Sequence, residues 1–259
     1  MSQRKFAIVT GASTGIGLEL AKLAAQDGYD LVVAADTPLV DASRELQGYG
    51  VEVRNVETDL STFDGVDRLL AAAGGRPVDA LFANAGHGLG HAFLEQDPAE
   101  WRHVIDTNIT GTLYLVQKVA REMVTRNEGR ILITGSIAAH IAGACHAVYN
   151  GSKAFIDSFS DALNNELKET EVTVTCLKPG ATETEFFHRA DMDDTKVGSS
   201  SKDDPADVAK TGYQAMMKGE RSVVHGLMNK LQVAGSKVLG GGVSAGMHRS
   251  MAEPGTAKE

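Results

Sequence analysis

Apolar residues in this chain gather in short runs, and the segments between the runs have helical periodicity. The runs lie at 5–10, 30–35, 51–56, 78–83, 129–134, 172–177 and 221–225. They are short and mostly rich in Val, Ile, Leu and Ala, as strands of a parallel sheet covered on both faces should be, although 51–56 also carries Glu52, Arg54 and Asn55 and 221–225 begins at Arg221. The first helical segment carries Leu18, Leu20, Leu23 and Ala24 on one side and ends near Gly28. Further helices are predicted at 39–48, 62–73, 98–126, 148–169 and 205–218, with Pro98 in a first turn and Phe155, Phe159, Leu163 and Leu167 as one stripe. Strand and helix alternate without repeat or linker. The expected fold is therefore α/β: one domain over 1–259, with a doubly wound, mostly parallel seven-stranded sheet and helices on both faces. Residues 181–204 are polar, with Asp191, Asp193, Asp194, Asp203 and Asp204, and read as a mobile lid. Residues 227–259 hold a weak helix, a Gly240-Gly241-Gly242 break and a polar end, and are expected to form a weakly ordered tail.

Doubly wound sheets bind ligands across the C-terminal ends of their strands. Gly11, Asp36, Asp59, Asn84, Ser136 and Pro179 all fall at such ends. After the first strand comes Gly11-Ala12-Ser13-Thr14-Gly15-Ile16-Gly17, then a helix; this geometry aims free backbone N–H groups at a phosphate. There is no Gly-Lys-Ser/Thr, which excludes a nucleoside-triphosphate loop. Gly11-Ala12-Ser13-Thr14-Gly15 also spells the G-x-S-x-G elbow of hydrolases, but that elbow sits deep in its sheet, with several strands before it. Asp36 ends the second strand at the spacing of an acid that bonds a ribose diol; the other reading is a cap on the next helix. Its charge opposes a 2′-phosphate, Thr37 and Pro38 follow it, and the glycine turn holds no base, so NAD is expected ahead of NADP. Asp59-Leu60 would face the adenine side, and Asn84-Ala85-Gly86 marks another close backbone approach. Asn108 interrupts a helix interior with an inward-facing neighbourhood, most simply as a local structural bond.

Tyr149 and Lys153 are four apart, on one helical face. A tyrosine hydroxyl is a poor acid or base at neutral pH unless a nearby ammonium favours the phenolate. Ser136, at the end of the fifth strand, could hold a substrate oxygen. Together they suit proton transfer at an alcohol or carbonyl, although Tyr-x-x-x-Lys alone arises readily by chance.

Composition narrows the field. The chain has 259 residues with a net charge of -9, which argues against a general nucleic-acid binder. No apolar run is long enough for a membrane span, and no signal peptide is evident. Two cysteines, Cys145 and Cys176, fit a reduced, cytoplasmic chain without disulfides. His and Asp lack metal-ligand spacing, so no metal is expected.

In the order and spacing of Thr10-Gly11-x-x-x-Gly15-Ile16-Gly17, Asp59-Leu60, Asn84-Ala85-Gly86, Asn108, Ser136, Tyr149-x-x-x-Lys153 and Pro179-Gly180, residues 5–225 resemble the short-chain dehydrogenase/reductase family, in its short single-domain, Rossmann-type branch. The resemblance implies hydride transfer between a nicotinamide cofactor and a secondary alcohol or ketone. It implies Tyr149 as acid/base, Ser136 bonding the substrate oxygen, and Lys153 bonding the nicotinamide ribose and lowering the tyrosine pKa. Asn108 would hold a water that links Lys153 to solvent. Thr184 matches a threonine that bonds the nicotinamide amide, and Thr182 stands where Val or Ile is usual. Helices 98–126 and 148–169 resemble the pair that builds homodimers and homotetramers. The substrate pocket is expected near His87, His140, Cys145, His146, Thr182, Phe186 and Phe187, with no arginine clamp, so an uncharged substrate is favoured. The alternative is a cofactor-sensing binding protein of the same fold without catalysis.

Overall fold

The computed structural model describes residues 4–236 and 241–258. Seven strands form one parallel sheet: β1 (Phe6–Thr10), β2 (Asp30–Ala35), β3 (Val53–Glu57), β4 (Ala80–Ala83), β5 (Gly129–Thr134), β6 (Val172–Lys178) and β7 (Ser222–Val224). Their spatial order is β3-β2-β1-β4-β5-β6-β7. The order reverses between β1 and β4, and a groove opens there outside the strand ends.

Period-two alternation divides the core. Ala7 and Val9 of β1, Leu31 and Val33 of β2, and Phe82 of β4 point to one face. There they meet α1 (Gly15–Gln26) and α2 (Val40–Gln47), through Leu20, Ala24 and Leu46. Phe6, Ile8, Val32 and Leu81 point to the other face, against α3 (Phe63–Ala72) and the helical segment that follows β4. Each fully buried Leu, Ile or Phe removes enough apolar surface to stabilise the fold by about 1.5–3 kcal/mol.

The segment expected as one helix over 98–126 is broken. It runs as α4 (Pro98–Ile105), a π-turn over Asp106–Gly111, and α5 (Thr112–Arg126). The wide turn ends at a close backbone contact. A Cβ on Gly111 would stand 1.8 Å from the Leu60 carbonyl oxygen, so helix and loop touch backbone to backbone there. Asn108 is turned inward at the same point and is 2 % exposed. Such turns are rare in helices and concentrate at functional sites.

Three further helices follow in order: α6 (Ala147–Glu166), α7 (Phe186–Arg189) and α8 (Lys196–Ser199). Residues 181–204, expected as a lid, therefore carry two short helices. They have a small apolar cluster of their own, in which Phe187, Ala190 and Met192 meet Ala252. Beyond α9 (Pro205–Met217), the stretch expected to hold one weak helix carries two, α10 (Leu227–Ser236) and α11 (Gly241–Ala252). Gly240 of the expected glycine break lies outside the described residues; Gly241 and Gly242 begin α11. Small residues let α11 approach closely: Ser244 and Ala252 are buried, His248 Nδ1 bonds the Ala144 carbonyl at 2.8 Å, and Ala257 N donates to Asp194 O at 2.9 Å. These contacts are tertiary and leave no periodic trace in sequence.

Candidate active site

The glycine turn owes its shape to two backbone positions that side chains rarely adopt. Gly11 has φ +65° and Gly15 has φ +58°. A Cβ on Gly11 would lie 2.9 Å from Asn84 Nδ2, and one on Gly15 would lie 2.6 Å from Thr184 Cγ2. Thr14 precedes α1 without a side-chain cap, so first-turn N–H groups stay unbonded by it, with Gly15 and Ile16 lining the cavity. That is a ready-made anion site. Gly17 does not line the cavity. Its hypothetical Cβ would meet Gly11 O at 2.0 Å, so this glycine serves the packing of α1 against the turn. Ser13 gives no support to a hydrolase: its Oγ accepts from Thr37 Oγ1 at 2.9 Å.

A cavity of about 290 Å³ extends from this turn along the strand ends. Gly11, Ser13, Thr14, Asp36, Asp59 and Leu60 lie in its wall, as do Ala85, Gly86, Pro179, Gly180, Thr182 and Thr184. Asn84 lies in the wall too, but its side chain is spent on the fold. Its Nδ2 donates to Thr10 O at 3.2 Å, and its Oδ1 accepts from Thr134 Oγ1 at 3.0 Å. Asn84 thus bolts together the ends of β1, β4 and β5 and leaves the backbone of Ala85 and Gly86 to face the cavity. Thr182 Oγ1 donates to Gly180 O, and Thr184 Oγ1 accepts from Phe186 N, so both hydroxyls organise their own loop.

Ser136, Tyr149 and Lys153 meet at the other end of the same cavity. Ser136 starts a short 3-10 turn and accepts from Ala138 N at 3.1 Å. Tyr149 is 8 % exposed and Lys153 5 %. Burial pushes the tyrosine up to about 12, and a hydrogen bond with Ser136 partly offsets it. Burial also pulls the Lys153 ammonium down to about 8. Its Nζ lies 5.7 Å from the centre of the Tyr149 ring and donates to Thr134 O at 2.8 Å.

Asn108 stands behind these three and does not line the cavity. Its Nδ2 donates to His87 O and Ser152 Oγ, both at 2.9 Å, and its Oδ1 accepts from His87 N at 2.7 Å. A Cβ on Gly86 would be 3.3 Å from both Asn108 Oδ1 and Lys153 Nζ, so Gly86 keeps the space between them clear of side chains.

The pocket around Tyr149 is apolar. His146 stacks on the tyrosine ring at 4.4 Å, and Phe186 leans on it at 5.1 Å. His146 is fully buried, and burial drives its imidazole down to about 3, with His248 acting the same way; it is a neutral ring here. His87 also lines the cavity. His140 lies elsewhere, 3.5 Å from Asp157, which Lys178 also pairs. Cys145 does not line the cavity; it packs on the cluster around Phe187.

Sequence reasoning did not single out Met192, Val197, His248, Met251 or Arg189. Met192 and Val197 enter from residues 181–204, and His248 and Met251 from α11. Arg189 of α7 reaches back across the groove to Asp36: its Nη1 donates to Oδ1 at 3.2 Å, and its Nη2 bonds Oδ2. Burial disfavours the Asp36 carboxylate, but the guanidinium outweighs it and holds the carboxyl below its usual range. No local pattern announces a partner 153 residues away. Among the described residues no group of three or more His, Cys, Asp or Glu is placed to hold a metal ion. None of the described helices is long and apolar enough to cross a membrane.

A parallel sheet with this crossover, a glycine turn, and a Ser–Tyr–Lys wall define a nucleotide-binding oxidoreductase fold. The family model for short chain dehydrogenases matches residues 5–195, and the chain belongs to that family. An uncharacterized oxidoreductase of Staphylococcus saprophyticus is 32 % identical over 223 residues, spanning 83 % of this chain and 92 % of the relative. A Burkholderia phymatum short-chain dehydrogenase/reductase, solved in complex with NAD, superposes with a TM-score of 0.80 at 25 % identity, covering 89 % of this chain and 92 % of its own. A Sphingobium yanoikuyae short-chain dehydrogenase, in complex with NADPH, superposes with a TM-score of 0.79 at 24 % identity, covering 90 % and 94 %.

Proposed function

We propose that this chain transfers a hydride between a nicotinamide cofactor and a secondary alcohol or ketone, with Tyr149 as the acid/base. One observation carries the reading: a single cavity has the anion-binding glycine turn at one end and Ser136, Tyr149 and Lys153 at the other. The residues fit the cofactor. The positive-φ glycines let phosphates approach the backbone, Asp36 suits a ribose diol, and the bare wall at Ala85 and Gly86 admits a flat ring. The cofactor, when bound, supplies the hydride acceptor or donor. The protein supplies position and protons. Ser136 holds the substrate oxygen beside the Tyr149 hydroxyl, and Tyr149 takes or gives the proton. Lys153 would bond the ribose, and its ammonium, 5.7 Å from the centre of the Tyr149 ring, would work against the burial that raises the tyrosine. Asn108 acts as a positioning residue: it clamps the backbone at His87, and the space beside Gly86 is where a water would relay protons between Lys153 and solvent.

The reading favours NAD, because Asp36 opposes a 2′-phosphate; the two solved relatives, one in complex with NAD and one with NADPH, illustrate both choices. The substrate is an uncharged, bulky molecule, since Phe186, Phe187, Met192 and Met251 surround the reacting end and offer no charge. Lid closure over it is the natural task of residues 181–204. Two free cysteines suit a cytoplasmic setting. A homodimer or homotetramer through α5 and α6 would cover Phe155, which stacks on Phe159 at 6.3 Å and is 42 % exposed.

Titration with NADH and with NADPH, followed by nicotinamide fluorescence, tests the reading. Saturable NADH binding is expected; binding of neither nucleotide would end it.

A further inference from the structure

Asp36 and Arg189 form a pair that neither residue's own neighbourhood in the chain explains. Asp36 closes β2, and the residues after it, Thr37, Pro38 and Leu39, bring no cation. Arg189 belongs to the lid. Its guanidinium meets the carboxylate through both nitrogens, each on its own oxygen. Both side chains are more than one-third exposed, at 38 % and 39 %, and both lie in the wall of the cavity. Among the described residues only two lysines or arginines line that cavity. Lys153 is at the tyrosine end, bonded to Thr134 O. Arg189 is therefore the one permanent cation at the Asp36 end. His87 and His103 stand nearby, 5.1 Å apart and edge to face, with burial holding His87 toward the neutral form.

A carboxylate alone at this place repels a phosphate on the ribose. A guanidinium fork binds carboxylate and phosphate with the same bidentate geometry. Here the fork already stands at the carboxylate, brought by a lid that sits beside the substrate pocket. We propose that Arg189 sets the cofactor selectivity of this groove: it neutralises Asp36 and offers its guanidinium to a 2′-phosphate, so the groove takes both NAD(H) and NADP(H). Asp36 serves the diol of the first, and Arg189 the phosphate of the second. The inference rests on the cofactor reading above and goes beyond it, because selectivity then resides in the lid.

The experiment is fluorescence titration of NADH and NADPH with the full chain and with Arg189→Gln, Arg189→Lys and Asp36→Asn. Thermal melting of each variant checks that it folds. In the parent the two dissociation constants should lie within about tenfold of each other, NADH the tighter. Arg189→Gln should weaken NADPH by at least about tenfold and change NADH by less than about threefold. Arg189→Lys, which keeps the charge and loses the fork, should fall between. Asp36→Asn should tighten NADPH relative to NADH. Equal weakening of both cofactors in Arg189→Gln would overturn the proposal and leave Arg189 as a lid tether. No change in either would overturn it too. A parent that binds neither cofactor fails at the earlier step, the cofactor reading itself.

Discussion

Lys153 is a cation kept where cations are costly. Its folded pKa, about 8, lies below the ordinary 10.5, so the unfolded chain binds more protons between those values. Stability from this residue therefore rises with pH across that window, and below about pH 8 the full penalty stands. Lys153→Met should then raise the melting temperature at pH 7, by the equivalent of about 1 kcal/mol after loss of the bond to Thr134 O, and abolish activity. The gain should shrink as pH approaches 10. A lower melting temperature at pH 7 would mean that the lysine is held mainly by favourable contacts. With Tyr149 as the proposed acid/base, the rate profile takes its direction from this residue. Alcohol oxidation needs the phenolate and burial raises the tyrosine to about 12, so oxidation should speed up from neutral to alkaline pH and ketone reduction slow down. His146, neutral from about pH 3 upward, should add no inflection near neutrality; one that disappears in His146→Asn would contradict its assignment as a neutral ring.

At the scale of elements, the site depends on two departures from regular geometry, the glycine turn and the π-turn. Gly15→Ala combines a positive φ with a contact on Thr184, and should cost about 1–3 kcal/mol of stability and weaken nucleotide binding. Differential scanning calorimetry with and without NADH reads both effects. Asn108→Ala leaves the His87 backbone without its clamp, and hydrogen exchange at 86–88 should accelerate while the sheet stays protected. Slow exchange there would show the clamp to be redundant. The central strands β1, β2 and β4 were legible because a sheet covered on both faces writes continuous apolar runs. The glycine turn and the Tyr149–Lys153 pair were legible because their spacing is local. The π-turn was not: it ends where Gly111 meets the Leu60 carbonyl, a contact between distant segments. For the same reason Asn84, which has the sequence of a cofactor contact, is a bolt between strands.

At the scale of the molecule, the groove lies where the strand order reverses, and its apolar end is completed by segments from the last third of the chain. That part was the least legible. α11 buries Ser244 and Ala252 through small residues, and Arg189 finds Asp36 only after folding; neither leaves a periodic or charge pattern. The exposed Phe155 on α6 belongs to this scale as well. If two copies pair there, Phe155→Glu should reduce the mass measured by light scattering to that of one chain, 27.4 kDa, without unfolding it. The central claim is that one cavity binds a nicotinamide cofactor and uses Tyr149 for proton transfer. Its most direct test is turnover of a panel of bulky secondary alcohols and ketones, in the parent and in Tyr149→Phe, with NADH affinity measured on both. The account predicts that turnover falls by at least about 10²-fold while NADH binds equally well. A variant that keeps its turnover, or that loses turnover and NADH binding together, would contradict it.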